Sequence, residues 1–328
     1  MRIFSGIQPT GRKHLGNYIG AIVQYVAGQD RGEAIYSIVD LHSLTVPFDP
    51  RELPELVYDT AAILLAAGLD PERCILFRQS DVHEHTDLTW LLTSVTAKGE
   101  LERMTQYKDK SAKQRERSTA GLFLYPVLMA ADVPAYRAHE VPVGEDQRQH
   151  VELMRDVAGR FNARFGETLV VPEAVIPRVG ARIMDLQDPT SKMSTTSASA
   201  EGTVYVLDEP AQIERKFKRA VTDSGNGVHR APDKPGIANL IEILAVVRDV
   251  DPAVVEHEHR EARYGDFKAA VAAAVVDYLA PMRERYNALR ADEARLESIF
   301  AAGAERARAL ASVTLADVRA AMGVGPPR

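Results

Sequence analysis

The sequence predicts an α/β fold, in which a mostly parallel sheet is covered by helices on both faces and followed by an all-helical C-terminal part. Short β-branched and aromatic runs alternate with stretches of helical spacing over the first two hundred residues. This alternation is typical of parallel strands joined by crossover helices. After residues 203–207 the strand-like runs cease. A chain of 328 residues also has room for about two domains.

Strands and helices are predicted in alternation along the first part. The predicted strands are residues 2–7, 34–39, 74–78 and 140–143, and the helices between them are 16–26, 53–67 and 87–95. A longer helix is predicted from near Gly144. In it Val151, Met154, Ala158 and Phe161 recur at three- and four-residue steps, which indicates one buried face.

The second part is predicted to be helical, with interruptions at residues 223–226, 232–235 and 264–265. Its strongest helix is predicted over residues 267–289. Pro281 should kink or restart that helix, because proline lacks the backbone N–H. We place the boundary between the two parts near residue 206.

Composition excludes several classes of protein. Forty Lys and Arg against forty-six Asp and Glu give a net charge of −6, which argues against a nucleic-acid coat or a membrane-surface binder. The single cysteine, Cys74, excludes an internal disulfide framework and a cysteine-rich zinc site. The N-terminal residues lack a hydrophobic signal core and no apolar run is long enough to span a bilayer. We therefore expect a cytoplasmic protein.

Glycines surround the turn between the first strand and the first helix. Gly11 and Gly16 have the gap of a P-loop, but Asn17-Tyr18 stands where Lys-Ser/Thr is required, and the GxGxxG pattern is absent. The turn can still bring its backbone close to an anion at the start of the helix. Alternatively, it is a tight turn that Asn17 caps, and composition leaves both interpretations open.

Motifs spread along the chain resemble one enzyme family. They are SGIQPTG (5–11), HLGNY (14–18), GELERMTQ (99–106), YPVLMAAD (125–132), VPVGEDQ (141–147), GARIM (180–184), KMS (192–194), AVTDS (220–224) and KPG (234–236). In order and spacing they resemble the tryptophanyl-tRNA synthetases of bacterial type, which are class I aminoacyl-tRNA synthetases. His14-Leu15-Gly16-Asn17 stands in place of the class I HIGH motif, with the Asn that is known in this family.

The resemblance implies a domain organisation and a reaction. It implies a Rossmann-like catalytic domain over residues 1–206 and a helical anticodon-binding domain over residues 207–328, with the last helix packing back on the catalytic domain. The reaction would be ATP-dependent activation of L-tryptophan to tryptophanyl-adenylate and transfer to tRNA(Trp), which releases AMP and pyrophosphate. A homodimer is implied, as is Mg²⁺ bound with the ATP phosphates and without a protein ligand.

Such a reaction needs positioning and charge neutralisation rather than a protein nucleophile, because the amino-acid carboxylate itself attacks the α-phosphate. By resemblance the catalytic residues are Lys192, Ser194, Thr195, Lys110, His14 and Asn17. The ATP-binding residues implied are Gln8, Pro9, Thr10, Gly16, Asn17, Gly144, Glu145, Asp146, Ile183, Lys192, Met193, Ser194, Thr195 and Thr196.

The second loop departs from the family pattern KMSKS, because Thr195 stands where a second lysine is usual. Thr195 can donate a hydrogen bond but carries no charge. Lys192, with Lys110 or Arg115 and with Mg²⁺, would have to neutralise more of the phosphate charge. Without the resemblance, Lys192 would be interpreted as an ordinary solvated lysine.

Tyr125, Met129 and Asp132 are spaced by four and three residues, so they share one helical face. Two large apolar side chains beside one carboxylate suit a flat ring with a single N–H or O–H, although an apolar helix face with a surface aspartate gives the same pattern. By resemblance Asp132 binds the indole N–H. The other tryptophan-binding residues implied are Phe4, His42, Tyr125, Met129, Val141, Val143 and Gln147.

Two histidine pairs and one basic run have simpler interpretations. His83-x-His85 and His257-x-His259 lack a third ligand at usable spacing, so we interpret them as solvated histidines rather than metal sites. The basic run at residues 215–219 is either a solvated helix face or a tRNA-facing surface.

Two alternative functions remain open from the sequence. One is tyrosine activation, since tyrosine and tryptophan enzymes share this fold, although the IQPTG and GEDQRQH segments favour tryptophan. The other is a non-catalytic paralogue that binds tryptophan or a nucleotide, which only Thr195 suggests.

Overall fold

The computed structural model describes residues 1–105, 119–144, 147–176, 182–194 and 199–325. The chain forms two compact units. The first, here called the sheet unit, comprises Met1–Thr10, Ala27–Pro177 and Leu289–Arg328, and the second, the helical unit, comprises Gly11–Val26 and Arg178–Ala288. These limits do not coincide with residue 206. The functional division predicted there, with its catalytic and anticodon-binding roles, stays a prediction.

A parallel sheet lies at the centre of the sheet unit, as predicted, and it has five strands. Its strands are Arg2–Ile7 (β1), Glu33–Ile38 (β2), Ile75–Arg78 (β3), Glu140–Pro142 (β4) and Glu173–Val175 (β5), in the order β3-β2-β1-β4-β5. The direction of strand addition changes between β1 and β4. In open α/β sheets, ligands bind beyond the carboxyl ends of the strands at such a switch point.

Helices account for most of the remaining described residues. Those of the sheet unit are Asp40–Ser43, Leu53–Ala66, Glu84–Thr93, Lys98–Arg103, Ala120–Asp132, Arg148–Phe165 and Glu293–Ala321, with short 3₁₀ turns at Gln79–Asp81 and Pro134–Tyr136. Near the first loop the chain is helical through Leu15–Asn17, Tyr18–Ile22 and Val23–Gly28. The later helices are Ala200–Gly202 (3₁₀), Pro210–Lys218, Pro235–Arg248, Pro252–His259 and Tyr264–Arg290. None of these helices is long and apolar enough to cross a membrane.

The helix Tyr264–Arg290 runs through Pro281 without restarting, so the restart expected at this proline was wrong, whereas the kink stays a prediction. Proline removes one helical hydrogen bond. The helix buries Phe267, Val271, Val275 and Leu279 along one face, and this burial outweighs the lost bond.

The final helix, Glu293–Ala321, packs on β3 and belongs to the sheet unit. Its small buried residues Ala304, Ala307 and Ala311 lie in the same core as Phe4 of β1 and Phe77 of β3. Gly303 is the point of closest approach. A Cβ added there would overlap the backbone carbonyl oxygen of Leu76. The helix can therefore approach the strand this closely only with glycine at position 303.

Gly303→Ala is expected to lower the free energy of unfolding by about 2 kcal/mol or more, because the backbone atoms of β3 cannot yield to a methyl group. Gly159→Ala is the matched control. Gly159 lies in the helix Arg148–Phe165 with open space at its Cβ position, so alanine there should stabilise the protein by up to about 1 kcal/mol. Urea unfolding measures both changes. Equal effects of the two substitutions would contradict the close approach.

Candidate active site

A buried carboxylate lies at the end of the helix Ala120–Asp132. Asp132 is its last residue and is 2% exposed. Three donors surround the carboxylate, each at 2.7 Å: His42 Nε2 on Oδ2, and Gln79 Nε2 and His85 Nδ1 on Oδ1. Three elements that follow β2 or β3 in the sequence thus converge on one acidic group.

The charge of Asp132 is stabilised by these neighbours. Burial alone would raise the pKa of Asp132, and a negative charge at a helix C-terminus is also unfavourable. The charge of His42 and the hydrogen bonds from His42 and His85 outweigh burial and hold the pKa well below its usual range. The carboxylate is therefore ionised at neutral pH and acts only as a hydrogen-bond acceptor.

The apolar side chains predicted to surround the substrate ring lie in the same unit. Phe4 of β1 and Val141 of β4 are buried in the core, and Met129 and Val143 pack against it half-buried. The ring of Tyr125 stands edge-on to that of His42, with centroids 6.4 Å apart. The residues predicted to surround a flat aromatic ring are thus buried or half-buried in the sheet unit.

Two of the residues predicted to bind tryptophan, Tyr125 and Gln147, carry polar groups. Tyr125 Oη lies 2.9 Å from His150 Nε2. Gln147 is half-buried, and its backbone N–H donates to the carbonyl oxygen of Gly144 at 2.9 Å. Both residues thus belong to the sheet unit, as the aromatic and apolar side chains do.

The helical unit contains the HLGN turn. His14 is the N-cap of the helical segment: its Nδ1 accepts from the backbone N–H of Asn17 at 3.3 Å, and Asn17 Oδ1 accepts from the His14 backbone at 3.3 Å. Because Nδ1 is an acceptor, the proton of the neutral ring is on Nε2. Gly16 lies against this ring and Ile183, so a Cβ there would press on His14.

His14 is neutral at physiological pH. Burial, together with the positive charges of Lys192 and Lys13, lowers the pKa of His14 to about 4. Burial also lowers the pKa of Lys13 to about 8. Within the helical unit, the first loop therefore offers a neutral imidazole N–H near the Lys192 cation.

The described part of the second loop is held by residues 183 and 184. Lys192 pairs with Met184 in an isolated antiparallel bridge, and Met193 N donates to Ile183 O at 3.1 Å. The Asn239 side chain binds both backbone groups of Met184, at 2.9 and 3.0 Å. Ile183 and Met193 are buried, Ser194 is half-buried, and Lys192 is exposed. The lysine is thus presented on a fixed backbone.

Backbone contacts join residues 203–208 to the first loop. Leu15 N donates to Val204 O at 2.8 Å, and Val206 N donates to Lys13 O at 3.0 Å. Arg12 Nη2 bonds Asp208 Oδ1 at 3.0 Å, with its guanidinium 4.0 Å from the Tyr205 ring centroid. The described parts of both predicted phosphate loops, from Arg12 and from Ile183, therefore belong to one unit.

The remaining residues predicted to bind ATP lie either in the sheet unit or outside the described residues. Gln8, Pro9, Thr10 and Gly144 belong to the sheet unit. Lys110, Glu145, Asp146, Thr195 and Thr196, together with Arg115, lie outside the described residues. The roles assigned to all these site residues stay predictions.

The chain matches a known family over most of its length. The family model described as tRNA synthetases class I (W and Y) matches residues 1–280. The chain belongs to this family. Its parallel sheet is thus that of a class I tRNA synthetase.

Relatives of this synthetase match it from end to end. Tryptophan–tRNA ligase 2 of Streptomyces avermitilis is 49% identical, over 100% of this chain and 98% of the relative. A tryptophanyl-tRNA synthetase structure from Mycoplasma pneumoniae is 35% identical with a TM-score of 0.86, over 99% of this chain and 98% of that chain. The Campylobacter jejuni enzyme, complexed with ADP and tryptophan, is 32% identical with a TM-score of 0.88, over 99% of this chain and 100% of that chain.

The interpretation of His85 as a solvated histidine was wrong. His83 is exposed, but His85 is 0% exposed and bonds Asp132. Its Nε2 lies 2.7 Å from Tyr136 Oη. Gln79 and Tyr136 were also missed. A sequence signal did exist for His85, because His85, Leu88 and Leu92 recur at helical steps and are all buried.

One residue of the basic run in the synthetase is internal rather than solvated. Lys216 is buried, and its Nζ donates to Asp208 Oδ2 at 2.6 Å and to Thr203 O at 2.7 Å. Lys218, Arg215 and Arg219 are exposed. One lysine of this basic run thus holds residues 203–208 in place, and the other basic side chains of the run lie at the surface.

Proposed function

We propose that this protein is a tryptophan–tRNA ligase, which activates L-tryptophan with ATP and transfers it to tRNA(Trp). The ligase activity of full-length relatives at 47–49% identity supports the reaction. The observation that carries the choice of amino acid is the buried Asp132 carboxylate. Its environment keeps it ionised, and it lies in a unit that also buries the predicted ring contacts.

Tryptophan selection follows from the acceptor character of Asp132. An indole N–H can donate to the carboxylate, whereas phenylalanine would leave the buried charge without that partner. Phe4, Met129, Val141 and Val143 are proposed to contact the ring, with His42 close to the carboxylate. Tyr125 and Gln147 are proposed to face the ammonium end of the substrate.

ATP is proposed to use the residues implied by the resemblance, among them the two anchored loops of the helical unit. His14 would donate its Nε2–H to a phosphate oxygen as a neutral group, and Asn17 and Gly16 would allow close backbone approach. Lys192 would stabilise negative charge that develops as pyrophosphate leaves. Met193 and Ser194 directly follow Lys192, and their backbone hydrogen bonds with Ile183 and Thr203 hold the chain next to the charge that Lys192 supplies.

Further parts of the proposal concern partners and location. We propose that Mg²⁺ is bound by the ATP phosphates and that the exposed basic residues of the helix Pro210–Lys218 face tRNA. We propose a cytoplasmic homodimer. Trp90 of the sheet unit, 77% exposed, is a side chain of the kind that protein interfaces bury.

Amino-acid-dependent ATP–pyrophosphate exchange in the presence of Mg²⁺ tests the activation step. Exchange is expected with tryptophan and not with tyrosine or phenylalanine at equal concentration. Tryptophanylation of tRNA(Trp) by the same preparation tests the transfer. A folded protein that binds tryptophan but supports no exchange would contradict the enzyme assignment, and preferred exchange with tyrosine would contradict the substrate.

A further inference from the structure

A line of hydrogen bonds runs from Asp132 into the core of the sheet unit. His85 Nδ1 lies 2.7 Å from Asp132 Oδ1, and on the opposite side of the ring Nε2 lies 2.7 Å from Tyr136 Oη. Both His85 and Tyr136 are 0% exposed. Neither residue is among those that the resemblance assigns to the substrate site.

The protons along this line have one consistent arrangement. An ionised carboxylate only accepts, so the hydrogen on Nδ1 of His85 is donated to Asp132. Burial and the charges of Asp132 and Glu84 raise the pKa of Tyr136 well above its usual value, so its hydroxyl keeps its proton. That hydroxyl can donate to Nε2 of His85. Every hydrogen bond of the line therefore points toward the carboxylate.

The lone pairs of the carboxylate are nearly all used. Oδ1 accepts from both Gln79 and His85, which uses its two acceptor positions. Oδ2 accepts from His42. Among the described residues, the remaining acceptor position is on Oδ2, and one further donor can be bound there.

Aromatic packing fixes the outer end of the line. Tyr136 is stacked on Phe4, with centroids 5.4 Å apart and planes 11° apart, and His85 is stacked on Phe77 at 5.8 Å. Phe4 and Phe77 belong to β1 and β3. The rings exclude water and resist rotation, so the direction of the hydrogen bond to Asp132 is set by the sheet itself.

We propose that His85 and Tyr136 are positioning residues, which hold Asp132 as a pure acceptor with one open position and thereby create the preference for a substrate ring that carries an N–H. This inference rests on the proposed tryptophan activation and adds two specificity-determining residues to it. Neither residue touches the reacting atoms. Their loss should change which ring is preferred more than how fast the chemistry proceeds.

The test compares tryptophan with β-(3-benzothienyl)alanine, whose sulfur replaces the indole N–H in a ring of similar shape. The measured quantity is the N–H preference, the ratio of kcat/KM for the two amino acids in ATP–pyrophosphate exchange. His85→Leu should lower this preference at least about tenfold, because it removes a charge-assisted hydrogen bond. Tyr136→Phe should lower it about threefold. His85→Asn keeps an N–H near the Nδ1 position and should retain most of the preference.

His83→Leu is the matched control, since His83 is two residues away and exposed, and it should leave the preference unchanged. Equal losses for both amino acids, with an unchanged ratio in His85→Leu and Tyr136→Phe, would show a merely structural role and overturn the inference. A loss in His85→Asn as large as in His85→Leu would also overturn it. If His85→Leu does not fold, Tyr136→Phe and His85→Asn decide by the same ratio.

Measurements on the wild-type protein distinguish failure of this inference from failure of the proposed function. Wild-type exchange with tryptophan and an unmoved ratio in the variants would overturn only the role of His85 and Tyr136. A wild-type protein without tryptophan-dependent exchange would overturn the proposed function, and this inference with it.

Discussion

Asp132→Asn is expected to lower kcat/KM for tryptophan in ATP–pyrophosphate exchange about 100-fold or more. An asparagine side chain has one acceptor oxygen, whereas Asp132 accepts from His42, Gln79 and His85. The amide NH₂ would therefore face at least one of these donors, and in place of Oδ2 it would also face the indole N–H. The loss should appear mainly as reduced preference for tryptophan over its benzothienyl analogue.

Asp87→Asn is the control for this substitution, because Asp87 lies exposed in the helix Glu84–Thr93 of the same unit. It should leave both substrates unaffected. The depressed pKa of Asp132 adds a condition. In the folded protein the carboxylate stays ionised until the pH falls through this lowered pKa, which lies below the pKa of the unfolded chain. The preference of the wild-type protein for tryptophan over the benzothienyl analogue should therefore stay flat between about pH 5 and 8. An unchanged Michaelis constant for tryptophan in Asp132→Asn would contradict the indole assignment.

Lys192→Gln is expected to reduce kcat of the exchange reaction about 100- to 1,000-fold, with a much smaller change in the Michaelis constant for ATP. Lys192 is exposed on a backbone that Met184 and Asn239 hold in place. Its charge should therefore reach the phosphates without a large loss of conformational entropy when the loop becomes ordered. The interaction is proposed to strengthen as negative charge grows on the leaving group, which is why kcat should carry the effect.

Steady-state and single-turnover kinetics of adenylate formation measure this change. Lys98→Gln is the control, since Lys98 is an exposed lysine of the sheet unit. A raised Michaelis constant for ATP at unchanged kcat would mean that Lys192 binds ground state and transition state equally. That result would contradict its proposed role in catalysis.

Much of the parallel sheet was predictable because its strands are local features of the sequence. β1 agrees with its prediction at both ends, and β2, β3 and β4 differ by one residue at one or both ends, since buried parallel strands read as continuous apolar runs. β5 was missed. Its three residues, Glu173–Val175, are too few to show a pattern.

The hydrogen-bonded surroundings of Asp132 were only partly predictable. His42 was expected near the carboxylate, but the helix that contains His85 was predicted to begin at residue 87 and begins at Glu84. That error of three residues left His85 outside the helix and hid its place on the buried face. Its contact with Asp132 arises from tertiary packing, which no local spacing records.

The grouping of the two loops was beyond local reasoning as well. Strand and helix signals describe neighbours in sequence. Leu15 and Val204, in contrast, are joined by a backbone hydrogen bond although most of the residues of the sheet unit lie between them in the chain. Motif resemblance named the residues of both loops. Only the three-dimensional contacts show that Gly11–Val26 belongs with Arg178–Ala288.

The position of the final helix in the core of the sheet unit has a consequence for biosynthesis. Residues 11–26 and 178–288, which complete the helical unit, are translated before Glu293–Ala321. All five described strands of the sheet unit, in contrast, are translated by Val175, but β3 cannot be covered until the helix Glu293–Ala321 has been made. The nascent chain therefore carries an open apolar sheet face for most of its synthesis, the kind of surface that chaperones recognise. Synthesis of the helix Glu293–Ala321, rather than synthesis of the last strand, sets the earliest moment at which the sheet unit can complete its core.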